Sequence, residues 1–339
     1  MQPTAAIREL DTRDRERIRE VLAGGEPAVL RGLVADWPVV AAGRVSAAAL
    51  LQYLRALDSG AVVDAIMTAP EERGRLFYRD GLDGFNFVRN RLPLTTVVEQ
   101  ALRYAGHARA PAVAVQSAAV SQCLPDFAAA NPLPEAHPSA EPRIWFGNAI
   151  TTPTHLDEWF NIGCVAYGRR RFTLFPPEQI VNLYVGPLDY APTGAPMSLV
   201  RLHQPDFERF PRFRAALAAA RSAELGPGDA LFIPPLWWHH VESLEPLNML
   251  VNYWWHASGA PLGSDSGYDS LRHAILNIRP LPAPARAAWR ALFEHYVFGD
   301  PGEATGHIPT HRQGLLGPLP DDAAQLLREQ IAQRLKTRK

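Results

Sequence analysis

The stretch GDALFIPPLWWHHVES, residues 228–243, carries the strongest fold signal in this chain of 339 residues. Gly228 and Asp229 are turn formers, and they lead into the apolar run ALFI, which is typical of a buried strand. Two prolines end that run, and two tryptophans and two histidines follow them. An apolar strand that ends in imidazoles indicates a β-barrel that presents these side chains to its interior.

Similar short apolar runs lie between about residues 111 and 258. They are bounded by Pro, Gly, Asn and Asp, and they read PAVAVQSA, RIWFGNAI, NIGCVAYG, RFTLFPP and NMLVNYWW. This pattern predicts a many-stranded antiparallel fold, either a β-sandwich or a barrel. One helical interruption is expected at 206–224. We therefore predict a mainly β fold with flanking helices.

Helical and extended patterns alternate in the N-terminal flank, which we take as an α/β extension at 1–110 that packs on a barrel at 111–258. Apolar spacing predicts a helix at 12–22 and a second one capped by Ser46. A third helix is expected where Thr96 and Glu99 form a capping-box pattern, with Gly106 as its stop.

The C-terminal flank, 259–339, is predicted to be a helical region of three segments. One of them carries an apolar stripe, made of Trp289, Leu292, Phe293, Tyr296 and Val297. Two interpretations are open. The stripe either packs against the barrel of its own chain or forms a homodimer interface.

The composition of the chain limits the partners and the cellular compartment that we expect. Apolar residues make up 47% of the chain and the formal net charge is -1, so neither nucleic acid nor an anionic membrane is an expected partner. Cys123 and Cys164 are the two cysteines, too few for a disulfide framework, which favours a reducing cytosol. We find no apolar leader and no run long enough to span a membrane, so we expect a cytoplasmic protein.

The stretch THLDEWFN, residues 154–161, holds the first candidate metal ligands. His155 and Asp157 lie two positions apart, so a strand would direct both to one face. A histidine from a distant strand would complete two histidines and a carboxylate, the set that non-haem Fe(II) oxygenases use. Strand alternation does not decide whether His239 or His240 faces inward. An ordinary hydrogen-bonded pair is the competing interpretation of an isolated H-x-D pattern.

In combination these motifs resemble those of the JmjC-type, cupin-like Fe(II)- and 2-oxoglutarate-dependent oxygenases. The segments HLDEWFN, GRRRFTLFPP, GDALFIPPLWWHHV and VNYWW occur in the family's order, and PAVLRGLVADWP precedes them. The resemblance covers roughly 28–258. It is strongest to the subgroup that contains the asparaginyl hydroxylase inhibiting hypoxia-inducible factor. It implies a double-stranded β-helix (jelly-roll) core, bound Fe(II), 2-oxoglutarate as co-substrate, and O2.

The same resemblance implies specific roles for residues. His155, Asp157 and His239 would be the metal ligands, which leaves His240 on the opposite face. Arg170 would anchor the distal carboxylate of 2-oxoglutarate, where the relatives have lysine. The competing interpretation makes Arg170 a solvated strand residue.

Further pocket residues follow from the resemblance. Thr152 holds the family's hydroxyl position for the same carboxylate, and Asn161 and Asn252 match amides that line the pocket. Tyr78 would add a phenol, although the alignment fits Phe77 equally well.

Trp159 and Trp254 would flank the substrate entrance. Trp254 matches an aromatic residue at the mouth, whereas Trp159 is bulkier than the polar residue expected there, which indicates a reshaped entrance.

The resulting hypothesis is an oxygenase that hydroxylates an unactivated C–H bond, with a protein or peptide as the preferred substrate. A small-molecule hydroxylase and an N-methyl demethylase share the mechanism and stay open. A second class is a non-catalytic metal-binding cupin module. A third is a metal-dependent isomerase or a dioxygenase without co-substrate, which would need a further ligand near Asp157; Glu158 should face away by alternation.

Overall fold

The structure is a computed structural model that describes residues 5–192, 194–256 and 267–337. Its contacts group the chain into two compact units, 1–265 and 266–339. The first unit contains every strand of the described residues, and the second unit is helical. The domain boundary predicted at 258/259 lies outside the described residues.

In the described part of the chain, the strands are β1 (Ala5–Ala6), β2 (Arg8–Leu10), β3 (Ala28–Leu30), β4 (Val62–Thr68), β5 (Phe87–Pro93), β6 (Ala112–Ala119), β7 (Glu141–Asn148), β8 (Thr151–His155), β9 (Phe160–Tyr167), β10 (Arg170–Phe175), β11 (Arg221–Leu225), β12 (Ala230–Ile233), β13 (Trp238–Ser243) and β14 (Leu247–Trp255). The α-helices are α1 (Arg15–Leu22), α2 (Pro38–Val45), α3 (Ala47–Leu57), α4 (Leu94–Ala105), α5 (Val120–Cys123), α6 (Phe127–Ala130), α7 (Phe213–Ala219), α8 (Gly267–Asn277), α9 (Ala283–Phe293), α10 (Pro301–Thr305) and α11 (Asp321–Thr337).

These strands form a large and a small sheet. The large sheet has the order β2-β3-β12-β9-β14-β7-β6-β4-β5, and the small sheet has the order β1-β11-β10-β13-β8. Neighbours pair antiparallel except for β1 with β11 and β2 with β3. The two sheets pack together through a shared apolar layer, which includes Val165 and Leu250 from the large sheet and Phe172, Leu174 and Val241 from the small one.

We call the side of each sheet that carries this layer its inner face, and the other side its outer face. The mainly β fold predicted from the sequence is confirmed, and the two facing sheets fit a double-stranded β-helix core. Strands β2 to β5 belong to the N-terminal extension and yet extend the large sheet, so the extension is continuous with the core.

Strand β14 shows how the apolar runs decide this architecture. It lies between β7 and β9 in the large sheet, and all nine of its residues are buried. Its alternate residues Met249 and Val251 face the helical layer that contains Leu50 and Val97. The intervening positions, among them Asn252, face inward, so an amide is held in the space between the sheets.

Three local predictions differ from the structure. Helix α4 begins at Leu94, after Pro93, so the predicted capping box at Thr96 does not form; Gly106 does follow its last turn. The helix expected at 206–224 shrinks to α7, because residues 221–225 instead pair with β10 and β1. Helix α2 was not predicted, although a proline at its first position is a common start signal.

The second unit contains helices α8 to α11. The side chains of Trp289, Leu292, Tyr296 and Val297 are exposed, and Trp289 and Phe293 have ring centroids 6.4 Å apart. A role of this stripe in homodimerisation stays a prediction. Among the helices formed by the described residues, none is long and apolar enough to cross a membrane.

Candidate active site

Strands β8 and β13 bring the histidine of H-x-D opposite the first histidine of WWHH. His155 pairs with His239, and their ring centroids are 4.1 Å apart. Asp157 lies just beyond the end of β8, and its Oδ2 is 3.5 Å from Nε2 of His239. One ligand atom from each of the three residues lies within 4.8 Å of the others. The three side chains can therefore hold one metal ion.

The pairing of β8 with β13 contains a one-residue irregularity. Thr152 pairs with Val241, but His155 pairs with His239, so three steps along β8 match two steps along β13. In a regular strand, three steps would place Thr152 and His155 on opposite faces. The bulge brings both to the inner face, and Pro153, which lacks an N–H for the ladder, lies within it.

Backbone carbonyls fix the orientation of both imidazoles. Nδ1 of His155 lies 2.8 Å from the carbonyl oxygen of Pro153, and Nδ1 of His239 lies 3.0 Å from that of Trp237. A carbonyl only accepts, so each Nδ1 carries the proton and each Nε2 keeps its lone pair for a metal. Burial lowers the pKa of His239 to about 4, so the ring is neutral and ready to bind metal near pH 7.

Arg170 supplies a buried cation on the inner face. It opens β10, where it lies on the same side as Phe172 and Leu174 and pairs with Ser243. Its side chain is 7% exposed, and its Nε has no hydrogen-bond partner among the described residues. Burial lowers its pKa to about 10, so the guanidinium is still charged at neutral pH. Arg170 is therefore not a solvated strand residue.

An unpaired buried cation is costly unless an anion joins it, and the spacing suits a dicarboxylate. Ser243, the partner of Arg170, lies four residues from His239 along β13, which is about 13 Å at the rise of an extended strand. Arg170 and His239 therefore share the inner face of the small sheet, an arrangement that can bind the two ends of a dicarboxylate.

The two predicted asparagines lie next to each other on the inner face of the large sheet. Nδ2 of Asn252 donates a hydrogen bond of 2.7 Å to Oδ1 of Asn161, and both side chains are buried. Oδ1 of Asn252 has no partner among the described residues. The amide pair thus leaves one acceptor for a ligand or a water molecule.

Trp254 lies two residues beyond Asn252 on the same face. Its ring centroid is 6.0 Å from that of Trp159 and 6.2 Å from that of Trp145. Within the described residues, the buried Nε1 atoms of Trp145 and Trp254 find no acceptor. Together with Nε of Arg170 they make the inner face rich in unpaired donors, and this donor set fits an anionic ligand such as 2-oxoglutarate.

Trp145 is a candidate site residue that the sequence analysis missed. It belongs to RIWFGNAI, which was recognised only as a strand. Its inward direction follows from its pairing with Leu250, and that pairing is not visible in the sequence.

Tyr78 is not brought to Arg170 by any hydrogen bond of the described residues. Its hydroxyl donates instead to the carbonyl oxygen of Tyr190, at 2.7 Å, and its ring contacts Phe77 and Phe85. Burial raises the pKa of the phenol to about 12. Its predicted contact with the co-substrate stays a prediction.

His240 faces the outer side of β13, since it alternates with His239. A cavity of about 1330 Å³ lies against this side and is bordered by Tyr78, Thr151, His203 and His240. Among the residues that line it in the described part of the chain, none belongs to the set His155, Asp157 and His239.

Two facing β-sheets with two histidines, an aspartate and a buried arginine at their inner faces are the arrangement of a barrel protein of the cupin class. A family model described as a cupin-like domain, Cupin_8, matches residues 14–260. The chain belongs to this cupin-like family.

Several curated proteins are similar to part of the chain. Human "HSPB1-associated protein 1" is 39% identical over 116 residues, which cover 34% of this chain and 23% of that protein. "Lysine-specific demethylase JMJ31" of Arabidopsis thaliana is 34% identical over 157 residues, 45% of this chain and 28% of that protein. "Jumonji C domain-containing protein 5" of Drosophila melanogaster is 33% identical over 114 residues, 33% of this chain and 27% of that protein.

The similarity thus spans about a quarter of the length of each of these relatives. A solved structure, the "X-Ray structure of E. coli ycfD", aligns with a TM-score of 0.40 at 18% identity, over 92% of this chain and 65% of that one. A TM-score at this level does not identify a shared fold.

Proposed function

We propose that this protein is an Fe(II)- and 2-oxoglutarate-dependent oxygenase that hydroxylates a C–H bond on a protein or peptide side chain. The observation that carries the proposal is the placement of Arg170. It is a buried cation with an unpaired Nε, and it shares the inner face of the small sheet with His239. A metal-binding module that does not use an acidic co-substrate has no need for such a group.

His155, Asp157 and His239 would hold the iron through one face of its coordination sphere, which leaves the remaining positions open. Arg170 would bind the distal carboxylate of 2-oxoglutarate, with the Thr152 hydroxyl beside it on the inner face. When bound together there, Fe(II), 2-oxoglutarate and O2 supply an oxidative decarboxylation that yields succinate and CO2 and places one oxygen atom on the substrate carbon.

The chain's contribution is orientation and the exclusion of water. The carbonyl oxygens of Pro153 and Trp237 hold both imidazole rings in the tautomer that binds metal. Apolar side chains, including Phe172 and Val241, lie on the inner face that carries Arg170. Such apolar surroundings strengthen the attraction between the guanidinium and a carboxylate and limit the access of water.

The substrate class is inferred from the name of a similar protein. One similar protein is named a lysine-specific demethylase, and its name supports a protein substrate in this chain too. Demethylation of an N-methyl group begins with the same hydroxylation of a carbon, so an N-methyl demethylase is the second candidate. We place the substrate entrance beside Trp159 and Trp254, whose ring centroids lie 6.0 Å apart with their planes tilted by 42°.

The proposal is tested by measuring co-substrate turnover. Purified protein supplied with Fe(II), ascorbate and 2-oxoglutarate should release succinate slowly even without a substrate. The Asp157→Ala variant should remain folded and release none. Wild-type protein that neither binds nor consumes 2-oxoglutarate would instead identify a non-catalytic cupin.

The substrate is then found by comparing the proteomes of cells that carry the wild type or the Asp157→Ala variant. A mass gain of one oxygen atom on a protein side chain in wild-type cells identifies hydroxylation. Loss of a methyl group from a protein side chain in wild-type cells, in the same comparison, identifies demethylation.

A further inference from the structure

The outer face of β13 carries a second cluster of potential metal ligands. His240 and Glu242 lie two residues apart and point to the side opposite His239. His203, from the segment that follows Val200, places its Nε2 2.7 Å from Oε1 of Glu242. The ring centroids of His203 and His240 are 5.8 Å apart, and one ligand atom from each of the three residues lies within 4.8 Å of the others.

The hydrogen bonding of this cluster is incomplete. His240 is 5% exposed, yet neither of its ring nitrogens has a hydrogen-bond partner among the described residues. Glu242 is 8% exposed, and its Oε2 also lacks a partner there. Buried polar atoms are almost always bonded, so unpaired atoms on two adjacent side chains point to a ligand.

We propose that His203, His240 and Glu242 form a second metal site, which binds Zn²⁺ independently of the iron site. Two imidazoles, one carboxylate and a water molecule complete the tetrahedral set that zinc adopts. One ring nitrogen of His240 and the free oxygen of Glu242 would bind the ion. An ion pair of His203 with Glu242 alone explains neither of these unpaired atoms.

The surroundings of the cluster admit an ion. His203 and His240 both line the cavity of about 1330 Å³, which provides a path for the metal and room for its water ligand. Arg171 is the nearby cation, with Nη1 4.0 Å from Oε1 of Glu242. The Arg171 guanidinium binds Glu224 more closely, at 2.6 Å, so Glu242 is left with a carboxylate oxygen for the metal.

The chemistry of the donors favours zinc over iron. Nitrogen and oxygen ligands bind Zn²⁺ more tightly than Fe²⁺.

The experiment is a zinc titration of metal-free, full-length protein, followed by calorimetry, with the metal content measured after dialysis. Wild-type protein should bind two equivalents of Zn²⁺. The His203→Gln and Glu242→Gln variants should each bind one, because loss of a ligand weakens the outer site by more than about 100-fold. The matched control is His107→Gln, which replaces an exposed histidine elsewhere in the chain and should still bind two.

A second variant isolates the outer site. His155→Ala/Asp157→Ala protein should retain one equivalent of zinc, and the further change His203→Gln should remove it. The His203→Gln variant should also keep the succinate release of the wild type, because His203 lies outside the iron site.

Zinc binding that is the same in the wild type and in the His203→Gln variant, whether one equivalent or two, would overturn the second site. Neither result bears on 2-oxoglutarate turnover, so the two proposals fail separately.

Discussion

The two faces of β13 carry clusters of the same composition, two histidines and one carboxylate, but they hold them differently. On the inner face, a backbone carbonyl accepts from Nδ1 of His155 and another from Nδ1 of His239, so both rings have one tautomer and one direction. On the outer face, His240 has no such partner among the described residues, and the side chain of His203 is 59% exposed.

The difference teaches that ligand type alone does not define a catalytic metal site. The inner cluster is preoriented and faces the same interior as the buried Arg170, so it can hold a metal beside an anionic co-substrate. The outer cluster borders a wide cavity, and among the described residues no hydrogen bond orients the ring of His240. We expect chemistry at the first and metal binding alone at the second.

Replacing the two adjacent histidines one at a time gives the largest expected difference in activity. His239→Ala should lower succinate release by more than about 100-fold, because it removes a metal ligand outright. His240→Ala should have a much milder effect, since its ring faces away from the iron site. Both are measured as turnover at saturating iron, with circular dichroism as a folding control. The opposite ranking would reverse our assignment of the two faces.

Arg170→Ala tests whether the inner face alone recognises a dicarboxylate. Loss of a charge-assisted contact should raise the KM for 2-oxoglutarate about 10- to 100-fold and change the iron requirement much less. Arg170→Lys should recover part of the loss, because it restores the positive charge without the planar fork. Equal shifts in the iron and 2-oxoglutarate requirements would argue against an anchoring role.

The pH dependence of stability should distinguish His240 from an ordinary surface histidine. Burial lowers the pKa of His240 to about 3. Between about pH 6.5 and pH 3 the unfolded chain takes up a proton that the folded metal-free protein does not. Above pH 6.5 the titration of this group therefore does not lower the free energy of unfolding. Below pH 6.5 the free energy of unfolding falls on acidification, by at most about 1.4 kcal/mol per pH unit.

His240→Gln should therefore show a shallower fall in the free energy of unfolding with decreasing pH than wild type. Urea unfolding of the metal-free proteins at several pH values measures the two slopes. His107→Gln should behave as wild type, and equal slopes in all three proteins would show that His240 does not titrate in this window.

Replacing one indole gives the smallest expected effect. Trp145→Phe keeps the aromatic ring but removes an unpaired N–H from the inner face. If that group donates to the co-substrate, the KM for 2-oxoglutarate should rise about five-fold, the value of one neutral hydrogen bond of about 1 kcal/mol. His203→Gln is the control on the outer face and should leave the KM unchanged. An unaltered KM in Trp145→Phe would remove this residue from the co-substrate pocket.

Much of the fold and of the candidate site was predictable because the signals were local. The apolar runs around ALFI and VNYWW identified the strands. The resemblance then picked out His155, Asp157, His239 and Arg170, which the structure brings to one interior.

Other features depend on pairing between distant segments. The direction of Trp145 follows from its register with β14, and His203 meets His240 although 36 residues separate them in the chain. The 206–224 segment was predicted to be one helix because its alanines favour that state. Its last residues became a strand because a sheet edge was available to pair with them.

The bulge in β8 changes how the spacing of inward-facing residues along this strand is interpreted. Thr152 and His155 are separated by an odd number of steps, yet the register places both on the same inner face. A regular strand cannot place two residues three steps apart on one face. An odd interval between two inward-facing residues therefore indicates an extra residue in the ladder. Transplanting this ligand pair into another barrel would thus require copying the length of the segment as well as its ligands. A shorter version, without Pro153, would keep the inward parity but lose the carbonyl that holds the imidazole.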